Sequence, residues 1–81
     1  MFFTMDDIYD PSEIRLAHEI AERLQDPEAL PLYLRYARRY QAPFLRRMLE
    51  RVMSIEDSKI KKTRGALFTF LINQSGNDSR H

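Results

Sequence analysis

Residues 59–73 read KIKKTRGALFTFLIN, a basic run that passes through Gly65 into the most apolar segment of the chain. On one helix, the apolar residues of this segment form a single arc made of Ile60, Ala66, Leu67, Phe70 and Leu71. Phe68 and Ile72 point away from that arc, and no polar residue balances them. We therefore expect either a buried central helix or a helix that uses Phe68 and Ile72 as a partner interface.

Three amphipathic helices precede this segment. Residues 10–13, DPSE, predict a helix start, because an aspartate cap, a proline in the first turn and a glutamate at the third position suit the orphan backbone donors there. Pro31 moves the expected start of the second helix to about Leu30, and Pro43 opens the third. The expected apolar faces are Ile14, Leu16, Ala17, Ile20, Ala21 and Leu24 in the first helix, Leu30, Tyr33, Leu34 and Ala37 in the second, and Phe44, Leu45, Met48, Leu49, Val52 and Ile55 in the third.

The predicted fold is therefore all-α, a small bundle of three main helices plus a C-terminal helical segment. A strand over residues 67–72 is the alternative, but a lone strand without a second strand to pair with is disfavoured. We expect one helical domain over residues 1–74 and a frayed polar tail over residues 75–81. Four apolar residues near the amino terminus are expected to pack over the core or against another chain: Phe2, Phe3, Met5 and Ile8.

The composition narrows the class of protein. The chain has 81 residues, of which 43% are hydrophobic and 31% are charged, a balance typical of globular proteins. There is no cysteine, which excludes disulfides and thiolate metal sites. No apolar run approaches the roughly 20 residues that a membrane span requires, and the amino terminus lacks a basic leader pattern. We expect a cytoplasmic protein with no membrane association.

Residues suited to catalysis are scarce. His18 is the only histidine outside the polar tail, and the serines at positions 12, 54 and 58 stand where helix capping explains them. His18 and Glu22 resemble half of an HExxH zinc helix, but the second histidine is missing, so a surface histidine beside a carboxylate is the simpler interpretation. We expect no enzyme activity, no catalytic residue, no metal site and no cofactor.

Two further motifs have structural explanations. Asp6, Asp7 and Asp10 are candidate ligands for a hard cation, but they also stand where a helix amino terminus favours negative charge. Gly65 is a lone glycine without the spacing of a phosphate-binding loop. A helix kink or a close helix approach explains it more simply than contact between its backbone and a phosphate.

The charges are strongly segregated along the chain. Residues 1–29 contain eight acidic and two basic side chains, whereas residues 30–81 contain eleven basic and four acidic ones. The candidate nucleic-acid-binding residues are Arg35, Arg38, Arg39, Arg46, Arg47, Arg51, Lys61, Lys62 and Arg64. Arginine dominates this set, which favours bidentate contacts to phosphate or carboxylate. The alternatives are a solvated face that the acidic first helix partly neutralises, or a surface for an acidic protein partner.

Tyrosines accompany these arginines. Tyr33, Tyr36 and Tyr40 border the basic residues of the second helix. A stripe of tyrosines usually belongs to the core, but it can also provide rings on which bases stack.

The run of residues 61–71, KKTRGALFTFL, resembles the short terminal element of some bacterial and phage replication-initiation or primosome accessory proteins. The resemblance covers about 15 of the 81 residues. It implies a DNA-associated accessory role rather than an enzyme. Our leading hypothesis is a non-enzymatic nucleic-acid-associated protein. The alternative is a protein–protein interaction module, or a homo-oligomeric adaptor such as a homodimer, that uses the C-terminal apolar segment.

Overall fold

The computed structural model describes residues 9–78, and the side chains of residues 9–75. Its α helices are α1 (Pro11–Arg23), α2 (Leu30–Arg39), α3 (Ala42–Met53) and α4 (Arg64–Asp78), with short 3₁₀ turns at Pro27–Ala29 and Asp57–Lys59. No strand occurs among residues 9–78. The prediction of an all-α fold is confirmed, and the alternative of a strand over residues 67–72 is wrong because α4 includes all of them.

The helices belong to two compact units. The first unit covers residues 1–42 and contains α1 and α2, and the second covers residues 43–81 and contains α4 and nearly all of α3. The single domain expected over residues 1–74 stays a prediction. Helix α4 continues as far as Asp78, so the predicted frayed tail begins as regular helix. The expected packing of Phe2, Phe3, Met5 and Ile8 lies outside the described residues.

Helix α1 begins as the sequence predicts. The Asp10 backbone N–H donates a hydrogen bond of 3.0 Å to Glu13 Oε1, and Pro11 occupies the first turn, where a missing amide donor costs nothing. One face of α1 is buried and packs against α2. The buried residues are Leu16, Ala17, Ile20, Ala21 and Leu24.

Helix α1 ends in a Schellman-type turn at Gln25. The Gln25 N–H donates to the Glu22 carbonyl at 3.1 Å, and the Asp26 N–H donates to the Ala21 carbonyl at 2.9 Å. Gln25 has a φ of 54°, in the left-handed region where glycine is the usual residue. Here a glutamine holds that conformation, and the chain reverses toward α2.

Helix α2 begins at Leu30 after the 3₁₀ turn Pro27–Ala29, which confirms the expected late start. Tyr33 is completely buried, and its hydroxyl donates a 3.0 Å hydrogen bond to Asp26 Oδ2. Leu34, Tyr36 and Ala37 are buried on the same side of the helix. The apolar face of α2 therefore packs inside the first unit, and the opposite face contains the arginines.

In the second unit, α3 follows its predicted apolar pattern and α4 does not. Helix α3 buries Leu45, Met48, Leu49 and Val52. On α4, Gly65, Phe68 and Ile72 are buried, and Phe68 and Ile72 have no exposed surface. The prediction that Phe68 and Ile72 form a partner interface is therefore wrong: they face the core, because the i, i+3, i+7 spacing from Gly65 puts all three residues on one side of the helix.

Helix α4 starts later than the basic run suggests. Its N-cap is Thr63, whose Oγ1 accepts a 3.0 Å hydrogen bond from the Ala66 N–H. Asp57 and Ser58 lie in the preceding 3₁₀ turn. Lys59, Lys61 and Lys62 therefore precede the helix rather than belong to it.

Candidate nucleic-acid interface

Helix α2 presents three exposed arginines, Arg35, Arg38 and Arg39, outside its buried face. Arg35, Arg38 and Arg39 are spaced at i, i+3 and i+4, which places them on one face. None of the ten residues of α2 is acidic, so no side chain of this helix offsets the positive charge of the arginines. Arg38 and Arg39 also lie in the last turn, where a positive charge interacts favourably with the helix dipole.

Aromatic rings accompany the arginines of α2. The guanidinium carbon of Arg38 lies 5.7 Å from the centroid of the Tyr9 ring, and that of Arg39 lies 5.8 Å from the centroid of Tyr40. Tyr36 is buried and contacts Tyr40 edge to face, with 5.8 Å between ring centroids. Because Tyr33 and Tyr36 belong to the core, neither provides an open ring for stacking a base. Tyr40 is half-buried and keeps part of its surface exposed.

Helix α3 presents the second arginine group. Arg46, Arg47 and Arg51 are exposed, and they lie away from the buried stripe of the helix. Glu50 is exposed on the same side, one helical turn from Arg46. The net positive charge of this group is therefore smaller than a count of its arginines suggests. The groups on α2 and α3 belong to different units.

Arg64 is not part of an open basic surface. Its side chain is 21% exposed, and Nη1 donates a 2.6 Å hydrogen bond to the Val52 carbonyl. Nη2 donates to the Ile55 carbonyl at 2.9 Å and forms an ion pair with Asp57. The prediction of Arg64 as a nucleic-acid-binding residue is corrected by these contacts, because its donors are engaged with one carbonyl in the last turn of α3, one just beyond that helix, and Asp57.

Lys61 and Lys62 are exposed, as a binding role requires, but they lie in a different setting from the arginines. They line an open groove of about 400 Å³ at the start of α4. We call this the α4 groove, and its lining residues are Lys59, Ile60, Lys61, Lys62, Thr63, Ala66, Leu67 and Phe70. The sequence pattern did not separate these lysines from the arginines, because both are simply basic residues in the same half of the chain.

The remaining candidate motifs are those around His18, the amino-terminal aspartates and Gly65. His18 is exposed on α1 and lines a shallow groove of about 750 Å³ with Arg15, Glu19 and Glu22. No cluster of three or more histidine, cysteine, aspartate or glutamate residues suited to a metal ion occurs among the described residues. Asp6 and Asp7 lie outside them. Gly65 is buried in the first turn of α4, which agrees with a close packing contact.

Comparison of the chain with known protein families, with curated proteins and with solved structures gives no match. The resemblance of residues 61–71 to replication-initiation and primosome accessory proteins therefore stays a prediction. Within residues 9–78, every helix is too short or too polar to cross a lipid bilayer.

Proposed function

We propose that this protein is a non-enzymatic nucleic-acid-binding protein whose exposed arginines contact phosphate. The observation that carries the proposal is the face of α2, where Arg35, Arg38 and Arg39 project from a helix that contains no carboxylate. A guanidinium binds phosphate through two parallel hydrogen bonds and keeps its charge at any physiological pH. Three guanidinium groups within one and a half helical turns give a positive charge density that suits the closely spaced phosphates of a nucleic-acid backbone.

Two further features support this proposal. The Arg39 guanidinium lies over the ring of Tyr40, a contact that limits the rotamers of both side chains. Arg46, Arg47 and Arg51 add a second exposed group on α3. Arg64 is much less exposed, and its donors are engaged with carbonyls and with Asp57. The proposed phosphate contacts are therefore the six arginines of α2 and α3, and Arg64 is left out.

Fluorescence anisotropy of labelled duplex and single-stranded DNA tests the proposal. We expect binding at low salt that weakens steeply between roughly 50 and 200 mM, because bound phosphates release counterions. Arg39→Glu and Arg47→Glu should each weaken binding and lower the slope of log affinity against log salt by about 1. The matched control is Arg15→Glu, the same charge change at an exposed position of α1.

Two outcomes would contradict the proposal. One is the absence of DNA binding at low salt. The other is a salt slope that Arg39→Glu and Arg47→Glu change no more than Arg15→Glu does. Circular dichroism of each variant confirms that a loss of binding is not a loss of helix.

The alternative function, a protein–protein interaction module, no longer rests on Phe68 and Ile72, because both are buried. If the exposed arginines of α2 and α3 bind an acidic protein instead of DNA, the affinity for that protein would depend on Arg39 and Arg47 in the same way. The α4 groove offers a different surface for a protein partner.

A further inference from the structure

The α4 groove contains an exposed aromatic side chain. Phe70 is 59% exposed and is the one large hydrophobic residue of the described chain that is this open to solvent. It stands beside Ile60, Ala66 and Leu67 in the lining of the groove. Covering an apolar surface of this kind with another molecule is favourable in water.

The rim of the groove is basic. Lys59, Lys61 and Lys62 all line it, all are exposed, and the lining includes no carboxylate. Asp57 is close in sequence, but its carboxylate forms an ion pair with Arg64. No ion pair joins the three lysines to another described residue. The first turn of α4 lies in the same lining and adds the positive end of a helix dipole.

The chemistry of the lining distinguishes between two kinds of anionic partner. Nucleic-acid bases stack on flat aromatic rings, whereas three of the four apolar residues here are aliphatic. Aliphatic walls around one aromatic ring suit the insertion of a bulky apolar side chain. Lysine ammonium groups on flexible stems pair readily with carboxylates that flank such a side chain. An acidic peptide with an apolar anchor matches both the apolar lining and the basic rim.

We propose that the α4 groove binds an acidic peptide segment of another protein, which inserts a large apolar side chain beside Phe70 and pairs its carboxylates with Lys59, Lys61 and Lys62. The volume of about 400 Å³ lies at the small end of the range for ligand pockets, which suits a short segment rather than a folded surface. This interaction does not depend on the arginines of α2 and α3. The two proposals can therefore fail separately.

Fluorescence anisotropy with designed peptides tests the inference on the full-length protein. The probe is a labelled short peptide in which two phenylalanines stand among glutamates. One matched peptide replaces the phenylalanines with serine, and another replaces the glutamates with lysine. We expect the first peptide to bind, the serine peptide to bind roughly tenfold more weakly, and the lysine peptide not to bind. Added salt should weaken the interaction.

Variants of the protein test whether the peptide binds in the α4 groove. Phe70→Ser should weaken binding roughly tenfold, and Lys61→Glu combined with Lys62→Glu should weaken it further. Arg46→Glu combined with Arg47→Glu is the control, with the same charge change on α3, and should have the smaller effect.

Three results would overturn the inference. The first is no binding of the acidic phenylalanine peptide at concentrations up to roughly 1 mM. The second is equal binding of that peptide to Phe70→Ser and to the parent protein. The third is binding of a labelled single-stranded oligonucleotide that depends on Phe70 when binding of the peptide does not, which would assign the groove to nucleic acid instead.

Discussion

A single buried hydroxyl group connects α2 to the turn before it. Tyr33 has no exposed surface, and its hydroxyl donates to the carboxylate of Asp26. Burial, followed by the hydrogen bond to Asp26 and the negative charge of that carboxylate, raises the pKa of Tyr33 far above its ordinary value. All of these effects penalise the phenolate. The folded protein therefore holds the Tyr33 proton at a pH where an unfolded chain releases it.

We predict that the protein loses stability above about pH 10, the ordinary pKa of tyrosine. Above that pH the unfolded chain gives up the Tyr33 proton and the folded chain keeps it, so the free energy of unfolding falls by up to about 1.4 kcal/mol per pH unit. Below it both states keep the proton and Tyr33 contributes no slope. Urea unfolding followed by circular dichroism at a series of alkaline pH values measures this effect.

Tyr33→Phe separates the hydroxyl from the ring in the same experiment. At neutral pH we expect it to cost about 1 kcal/mol, since the hydrogen bond to Asp26 is lost. At alkaline pH the difference from the parent protein should shrink. Tyr40→Phe, at the end of α2, is the control for removing a tyrosine hydroxyl. Equal alkaline slopes for the parent and Tyr33→Phe would contradict the assignment.

At the scale of the elements, Arg64 joins the end of one helix to the start of the next. It is the first residue of α4, and its guanidinium donates to the carbonyl of Val52 in the last turn of α3 and to that of Ile55, two residues beyond the helix. Carbonyls at a helix carboxyl end lack partners within their own helix, so a cation with several donors stabilises them strongly. The pairing with Asp57 orients the same guanidinium.

We predict that Arg64→Met lowers the free energy of unfolding by about 2 kcal/mol, because it removes charged donors from partly buried carbonyls. Arg64→Lys should recover little, since one ammonium group does not reproduce the fork of a guanidinium. Lys62→Met is the matched control, an exposed position nearby, and should change stability by less than about 0.5 kcal/mol. Denaturant unfolding measures all three.

The same variants distinguish a structural role of Arg64 from a phosphate-binding role. Our assignment would be wrong if Arg64→Met were as stable as Lys62→Met. A folded Arg64→Met protein that bound DNA more weakly than Lys62→Met would restore the phosphate-binding role that the sequence suggested.

The helices differ in how well their sequences predict them. The start of α1, the late start of α2 and the buried stripe of α3 follow from caps, prolines and a single apolar face, all of which are local signals. In α4 the apolar residues surround the helix, so the pattern gave no unique buried side. The spacing of Gly65, Phe68 and Ile72 was the available signal, because a glycine allows close approach and marks the packed side.

The functional role of single arginines depends on contacts that local patterns do not contain. Arg39 and Arg64 are equally basic in the sequence, yet one is exposed and the other is bound to carbonyls from α3. That difference depends on where the end of α3 lies relative to the start of α4. Exposed arginines on α2 were predictable because the opposite face is so clearly apolar.

For the whole molecule, the two units differ in the sign of their charge. Residues 1–42 contain eight acidic and five basic side chains, and residues 43–81 contain four acidic and eight basic ones. The exposed arginines of α2 thus belong to the acidic unit. Their attraction for a phosphate is therefore limited to short range, because the net charge of that unit is negative. The arginines of α3 belong to the basic unit, whose net charge attracts polyanions over a longer range at low salt.

We predict that Phe68→Ala lowers the melting temperature by roughly 15 °C or more, because truncation of a fully buried phenylalanine costs about 3–5 kcal/mol in a small protein. Phe70→Ala, two residues further along α4, should shift it by no more than about 3 °C, since its side chain is mostly exposed. Thermal melts followed by circular dichroism compare the two. Similar shifts for both variants would contradict the orientation of α4.

The bridge made by Arg64 also affects how the second unit opens. The one helical element of the segment between α3 and α4 is the 3₁₀ turn Asp57–Lys59, and the guanidinium of Arg64, the first residue of α4, contacts Val52, Ile55 and Asp57 on the α3 side. Fraying of the last turn of α3 removes the acceptors of Arg64, and fraying of the first turn of α4 removes the donors. We therefore expect the two helix ends to open in one cooperative step, so that hydrogen exchange finds similar protection for the amide protons on both sides.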